Sequence, residues 1–448
     1  MNPVRSLRQK KFSNFSASAY SSRTKDNVLS ATYNNKDTRQ TSNGVKRILI
    51  FSLAYYPNYY GGAEIAIKEI TNRIAPADIE FHMVTLRFDK RLPKMERIGN
   101  VLIHRIGYAR SDPSIVDIGK FPLHLNKYLF QFTAAWKALL LHRQYHYDAI
   151  WAMMAHSSGI PAALFKLSRP RVPYLLTLQE GDPPEYIERL MWPFWFLFSR
   201  AFTSADIMQT ISRFLGEWAR RRGFKGPLEV IPNAVDATRY AQEFPSRAID
   251  EVKDRLGKRM GDVFLITTSR LVHKNAIDVC IAALSLLPDN VKFIILGSGP
   301  LERDLKEKTK NLKLEPRVQF LGHVVYEETP KYLKASDIFI RPSRSEGMGS
   351  SFVEAMAAGL PVIATQEGGI ADFLFDEKRN PDKPVTGFAV DKDSPEQIAA
   401  QVKNIMEHPE KVRAVIETAK AMVMEKYDWD LVAKDMREKV FKPLLARG

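Results

Sequence analysis

The stretch Arg47-Ile48-Leu49-Ile50-Phe51-Ser52, followed by Tyr56-Pro57-Asn58, Gly61-Gly62 and Ala63-Glu64-Ile65-Ala66-Ile67-Lys68-Glu69-Ile70, decides the fold. An apolar run closes in small residues and a turn, and two adjacent glycines then open a segment with helical spacing of its apolar positions. Strand, glycine loop and helix in that order form the first unit of a doubly wound sheet. Outward from it, strands are expected at 79–86, 101–106, 148–153, 173–178 and 206–210, with helices such as 127–142 and 185–201 between them. A second alternation starts after Pro232-Asn233, with strands expected at 262–269, 291–296, 317–321, 337–341, 361–364 and 387–390. Its helices are expected at 276–287, 300–313, 328–335, 351–358 and 395–407, and two more follow at 409–426 and 430–446. The fold class is therefore α/β: two doubly wound parallel-sheet domains facing a cleft, divided where Pro232, Asn233 and Pro245 interrupt the pattern.

The composition fits this reading. A chain of 448 residues suits two or three domains, and 45% apolar residues suffice for buried cores. One cysteine excludes an intrachain disulfide framework and a Cys-rich metal site; Cys280, on an apolar helical face, reads as a core residue. The densest apolar run, Met191–Phe198, contains Pro193 and is well short of the roughly 20 residues a spanning helix needs. Residues 1–45 are polar and basic without periodicity; they read as a disordered basic tail and not as a secretory signal.

Charge is uneven. Residues 1–45 hold 8 basic and 2 acidic side chains, residues 46–225 hold 25 and 15, and residues 226–448 hold 33 and 34. The net +15 thus belongs to the N-terminal half. Such asymmetry points to an anionic membrane, a phosphorylated substrate or nucleic acid, or reflects a solubility bias with a basic tail. No nucleic-acid-binding motif accompanies it, so no nucleic-acid partner is expected.

Chemistry is sought at strand ends. Glu346 and Glu354 flank a loop with two glycines, Gly347 and Gly349, that leads into a helix starting near Ser351. Free amides at a helix start suit a phosphate, and the carboxylates suit sugar hydroxyls. The competing local reading of Glu354 is a capping box, Ser351-x-x-Glu354. Arg270 and Lys274 follow the strand at 262–269 and could flank a diphosphate, or be two solvated charges. Gly61-Gly62, Gly297-Ser298-Gly299-Pro300 and Gly368-Gly369 are weaker signals of close backbone approach.

From about residue 46 to its end the chain resembles glycosyltransferase family 4, whose fold is the two-domain GT-B fold. The resemblance rests on Glu346-x7-Glu354 with EAMAAGLPVIAT and GGI, on SRLV and Lys274, and on IPNAVD, ILGSGP and YYGGAE at residues 59–64. It implies that Glu346 contacts the donor sugar, that Glu354 holds the ribose hydroxyls of a nucleotide-sugar, and that Arg270 and Lys274 bind the diphosphate with the amides near Gly349 and Ser350. Gly62 would approach the donor phosphate from the other domain. It further implies a retaining reaction without a metal or other cofactor. Gln179 stands where many members carry a histidine; Gln179, Glu180 and Asp182 are candidates for donor-sugar or acceptor contacts. Lys274 follows Arg270 by four residues, not the usual five, and Ala234 and Ala276 stand at positions that are often glycine. His156 and His273 read as structural or surface residues. The resemblance places the acceptor-side domain at 46–231, completed by a C-terminal helix at about 428–448, and the nucleotide-sugar domain at 232–427.

The expected function is a retaining hexosyltransferase-like enzyme in glycan, polysaccharide or glycolipid synthesis. Its partners would be a nucleotide-sugar donor and a sugar or lipid-linked acceptor. A non-catalytic nucleotide-sugar-binding module of a membrane assembly is the alternative; a nucleotide-sugar epimerase lacks a candidate acid–base pair. Aromatic residues beside cations in 121–145 and 189–200 suggest contact with an anionic membrane surface, and hence a cytoplasmic protein peripheral to the membrane.

Overall fold

The computed structural model describes residues 44–58, 61–113 and 120–448. The tail expected at 1–45 lies outside them except for its last two residues, as do Tyr59 and Tyr60.

Fourteen strands form two sheets. The first contains β1 (Lys46–Phe51), β2 (Ile79–Leu86), β3 (Met95–Ile98), β4 (Val101–Ile106), β5 (Ala149–Met153), β6 (Tyr174–Leu178), β7 (Ile207–Thr210) and β8 (Leu228–Val230), in the order β3-β4-β2-β1-β5-β6-β7-β8. Only β3 runs antiparallel to its neighbour. The second contains β9 (Val263–Thr268), β10 (Val291–Leu296), β11 (Val318–Gly322), β12 (Ile338–Arg341), β13 (Val362–Ala364) and β14 (Phe388–Ala389), all parallel, in the order β11-β10-β9-β12-β13-β14. Ile48, Leu49, Ile50 and Phe51 in β1 are all fully buried, because helices cover both faces of a parallel sheet. The same constraint explains the apolar run Phe293–Leu296 of β10.

Several elements differ from expectation. The helix expected at 185–201 is two helices, Pro184–Met191 and Trp195–Thr203, joined by a tight turn Trp192–Phe194. Pro193 has no N–H to donate and its ring clashes with the preceding turn, so the helix breaks there. The C-terminal helix likewise contains a wide turn, Met436–Phe441. The short strands β3 and β8 and the helices Ile160–Ser168, Arg213–Arg221, Ala237–Ala241 and Ser246–Arg255 were not anticipated.

The chain passes between the sheets twice, side by side: Val235 N donates to Tyr427 O at 3.1 Å, and Val235 bridges Asp428. After that return, Trp429–Leu445 packs on the first sheet beside the helix Gly62–Asn72. Phe441 sits 5.2 Å from the ring of Trp151 in β5 and 5.7 Å from that of Phe81 in β2. Arg437 adds an ion pair to Asp78 at 2.6 Å. Truncating Phe441 removes a fully buried ring, so Phe441→Ala should cost about 3–5 kcal/mol of stability in denaturant unfolding. An unchanged midpoint would mean that this segment does not seal the first domain.

Candidate functional site

In each sheet the strand order turns back between two parallel neighbours, β1 and β5 in the first, β9 and β12 in the second. Ligands of open sheets bind just beyond the strand ends at such points. The loops after β9 and β12 carry Arg270, Lys274, Glu346 and Gly349, and the helix after β12 carries Ser350 and Glu354. Those after β1, β5 and β6 carry Gly62, His156 and Gln179–Asp182.

Arg341 closes β12 and is buried. Its guanidinium lies 4.1 Å over the Phe352 ring and donates to Ser351 Oγ at 2.7 Å, Thr268 O at 3.3 Å and Glu346 Oε2 at 3.0 Å. A buried guanidinium needs such partners, so it dictates where Glu346 points. The reading of the sequence passed over Arg341; the available signal was a cation ending the otherwise apolar strand Ile338–Arg341.

Gly349 follows in the left-handed region at φ 88° and caps the helix Ser350–Ala357 without any side chain. A Cβ there would stand 2.6 Å from the Phe352 ring and 2.7 Å from Arg341 Nη2, so only glycine fits. The capping box Ser351-x-x-Glu354 therefore does not form: Ser351 lies inside the helix, with its hydroxyl taken by Arg341. Glu354 is left half-buried near the Tyr240 hydroxyl. Burial pushes its carboxyl up to about 7, against the lowering pull of Tyr240 and Arg341.

The second loop is tied to the first. Arg344 N donates to Lys274 O at 2.7 Å, and its side chain donates to His273 O at 2.6 Å and grips Asp278 through both terminal nitrogens. Asn275 Nδ2 donates to Arg270 O at 2.7 Å. Ala276 adopts φ 55°, the left-handed conformation that a glycine would take freely. Lys274 Nζ lies 3.6 Å from Glu346 Oε1 and donates to Gly181 O at 2.9 Å, across the cleft. The loops touch closely: a Cβ on Gly347 would stand 2.4 Å from Glu180 O, and one on Gly181 2.5 Å from Lys274 Nζ.

Among the described residues the side chain of Arg270 has no hydrogen-bond or ion-pair partner. At the ends of the same two strands lie buried polar atoms that also lack one: Thr267 Oγ1, Thr268 Oγ1, Ser269 Oγ, Asn275 Oδ1, Arg341 Nε and Ser343 Oγ. Buried polar groups are normally satisfied, so this concentration at the ends of β9 and β12 is what a site for a polar ligand looks like.

The first domain contributes differently. Gln179 and Asn233 exchange two amide hydrogen bonds of 3.1 Å, which turns Gln179 toward the interdomain chain. The Glu180 carboxylate is buried, accepting from Ala155 N at 2.6 Å and Gln179 N at 3.0 Å, with His156 Nδ1 at 3.4 Å. Its side chain orders the turn after β5, and only its carbonyl faces the second domain. Asp182 is half-buried at the cleft edge, with Tyr186 in its field. A Cβ on Gly62 would meet nothing within 4 Å, so the fold itself does not require that glycine.

A model of the family described as "Glycosyltransferase Family 4" matches residues 60–239, and one described as "Glycosyl transferases group 1" matches residues 248–422. TuaC of Bacillus subtilis (strain 168), assigned by name to teichuronic acid biosynthesis, is 31% identical over 52% of this chain and 56% of its own. The alpha-monoglucosyldiacylglycerol synthase of Streptococcus pneumoniae (strain ATCC BAA-255 / R6) is 29% identical over 52% of this chain and 55% of its own. The chain thus spans about half the length of these two curated relatives. A crystal structure of Anabaena HepE in complex with UDP-glucose superposes with a TM-score of 0.69, at 20% identity, over 88% of this chain and 99% of the other.

The raised Glu354 carboxyl has a consequence for stability. The folded chain holds that proton to higher pH than the unfolded chain, so folding takes up a proton between the ordinary carboxylate range and about 7. Stability falls as pH rises through that window, and the penalty is complete above it. Glu354→Gln should therefore raise the melting temperature of the ligand-free protein above neutral pH, with the gain shrinking toward the ordinary carboxylate range. A gain independent of pH would contradict this origin.

Proposed function

The chain belongs to glycosyltransferase family 4 and has the GT-B fold; on that premise we propose that it transfers a sugar from a nucleoside-diphosphate donor to an acceptor hydroxyl, with retention of anomeric configuration, in glycolipid or glycan synthesis. The observation that carries the proposal is the cluster at the ends of β9 and β12. There an unpartnered Arg270, a glycine-capped helix start and several unsatisfied buried polar atoms occur together with a carboxylate held by Arg341.

The donor diphosphate would lie between Arg270 and the amides of Gly349 and Ser350, with Lys274 beside it. Glu354, free of any capping duty, would accept the ribose hydroxyls, and Glu346 would accept from the donor sugar. The acceptor oxygen attacks the anomeric carbon on the face from which the diphosphate departs. The bond between that carbon and the phosphate oxygen breaks, and the acceptor proton passes to the departing oxygen. Two cations offset the charge that builds there, the role a metal ion would otherwise fill. The glycolipid named in the Streptococcus relative and the UDP-glucose bound by the Anabaena neighbour support the substrate classes.

The non-catalytic binding reading draws on one observation: Gln179 is committed to Asn233. Incubation with labelled nucleotide-sugars and a lipid or glycan acceptor separates the two. The proposal requires labelled product with the donor's anomeric configuration; binding without transfer would support the alternative.

Two outcomes follow from the site. Arg270→Ala should weaken donor use about tenfold to a hundredfold, as expected for loss of a charged hydrogen bond, while a chelator leaves the wild-type rate unchanged. Loss of activity in chelator with recovery on added manganese would overturn the metal-free reading. Gly62→Ala should keep or slightly raise stability, by up to ~1 kcal/mol, yet lower kcat/KM for the donor, because the added carbon meets ligand and not protein. Wild-type turnover in that variant would remove Gly62 from the site.

A further inference from the structure

The helix Asn126–Tyr145 has apolar residues on two opposite faces. Phe130, Ala134, Ala138 and Leu141 are buried against the first sheet, while Leu129, Phe132, Trp136 and Leu140, at the same helical spacing on the other side, are exposed. An amphipathic surface helix normally exposes its polar side, not a second apolar face. The break at Pro193 extends the surface. Trp192 and Phe196 project from it with 74% and 72% of their surface exposed, against 67% for Trp136. Phe194 joins the two parts, its ring 6.2 Å from that of Phe132. From behind, Arg222 holds Trp195, its guanidinium 4.0 Å over the indole. A contiguous exposed aromatic surface marks an interaction site.

Charge identifies the occupant. The segments 120–147, 157–172 and 189–205 contain nine Lys and Arg and no Asp or Glu. They supply three helices, Asn126–Tyr145, Ile160–Ser168 and Trp195–Thr203, of which the middle one packs against both others. Arg143, Arg189 and Arg200 are exposed around the aromatic ridge. Glu185 and Glu188 precede Arg189 on the helix Pro184–Met191, but cations outnumber them; aromatic side chains among an excess of cations match the headgroup boundary of an anionic bilayer, where rings insert and cations meet phosphates. Among the described residues no helix is long and apolar enough to cross a membrane, so this surface would lie on the bilayer.

We propose that this face of the first domain docks on an anionic lipid bilayer and brings a lipid-linked acceptor to the cleft. The helix Pro184–Met191 connects Asp182 at the cleft edge to Trp192, and its eight residues span about 12 Å, within reach of a headgroup hydroxyl. The acceptor's identity rests on the proposed transferase activity; the docking does not.

The test sediments the full chain with phosphatidylcholine vesicles, with and without phosphatidylglycerol, at low and high salt. The chain should pellet only with phosphatidylglycerol and be released by salt. The triple variant Trp136→Ser, Trp192→Ser, Phe196→Ser should lose about tenfold or more of that partitioning, because the inserting rings are gone. Its thermal shift with nucleotide-sugars should match wild type, which shows that the fold and the donor site survive. Wild-type chain left in the supernatant with phosphatidylglycerol at low salt would overturn the proposal, as would a triple variant that pellets like wild type. A wild-type dimer that the triple variant converts to monomer would also overturn it, in favour of a face between copies. A chain that binds vesicles but no nucleotide-sugar would sink the enzymatic reading and leave the docking surface standing.

Discussion

The buried pair of Arg341 and Glu346 is the interaction on which the site depends. A guanidinium closed off from water at the end of β12 is tolerable only with its charge answered and its donors engaged. Glu346 answers the charge, Ser351 and Thr268 accept further hydrogen bonds, and the Phe352 ring covers the flat face. Those contacts fix the loop from Ser343 to Gly349 and the angle at which the following helix starts. Gly349 must be glycine because Arg341 and Phe352 occupy the space a side chain would need. The position of Glu346, the bare helix start and the orientation of Glu354 are thus one arrangement.

From that arrangement the two domains are linked. Lys274 lies beside Glu346 and reaches the Gly181 carbonyl of the first domain, while Gly347 packs against the Glu180 carbonyl. These contacts use backbone carbonyls and absent side chains, and beside them Arg213 N donates to Asp372 Oδ2 at 2.8 Å. The chain itself links the domains where it crosses twice side by side at Val235 and Tyr427, and its C-terminal segment packs on the first sheet.

How much of this the sequence disclosed depended on locality. The buried strands β1, β9 and β10 were legible because a parallel sheet covered on both faces demands unbroken apolar runs. The edge strands β3 and β8 were not, being short and partly exposed, with charges such as Glu96 and Glu229 inside them. The helix Ile160–Ser168 is mostly buried and shows little polar face to reveal its period. At the site, Glu346, Arg270 and Lys274 could be picked out by residue type and spacing, but what each side chain touches could not. Ser351 and Glu354 match a capping box locally, but the left-handed Gly349 two residues before Ser351 takes the cap position and Arg341 takes the Ser351 hydroxyl. Gln179 finds its partner 54 residues away in Asn233, a pairing that no local pattern contains. The exposed side of the helix Asn126–Tyr145 was legible as composition, but which of its rings face water is decided by how the sheet turns it.

The most direct measurement of the central claim, that the ends of β9 and β12 bind the donor, is amide hydrogen exchange with and without a saturating nucleotide-sugar. The expected result is slowed exchange at Gly349–Phe352 and across Arg270–Asn275, with no comparable change in the aromatic helix Asn126–Tyr145. A nucleotide-sugar that binds, by thermal shift, yet leaves both segments exchanging as in the free protein would contradict the account.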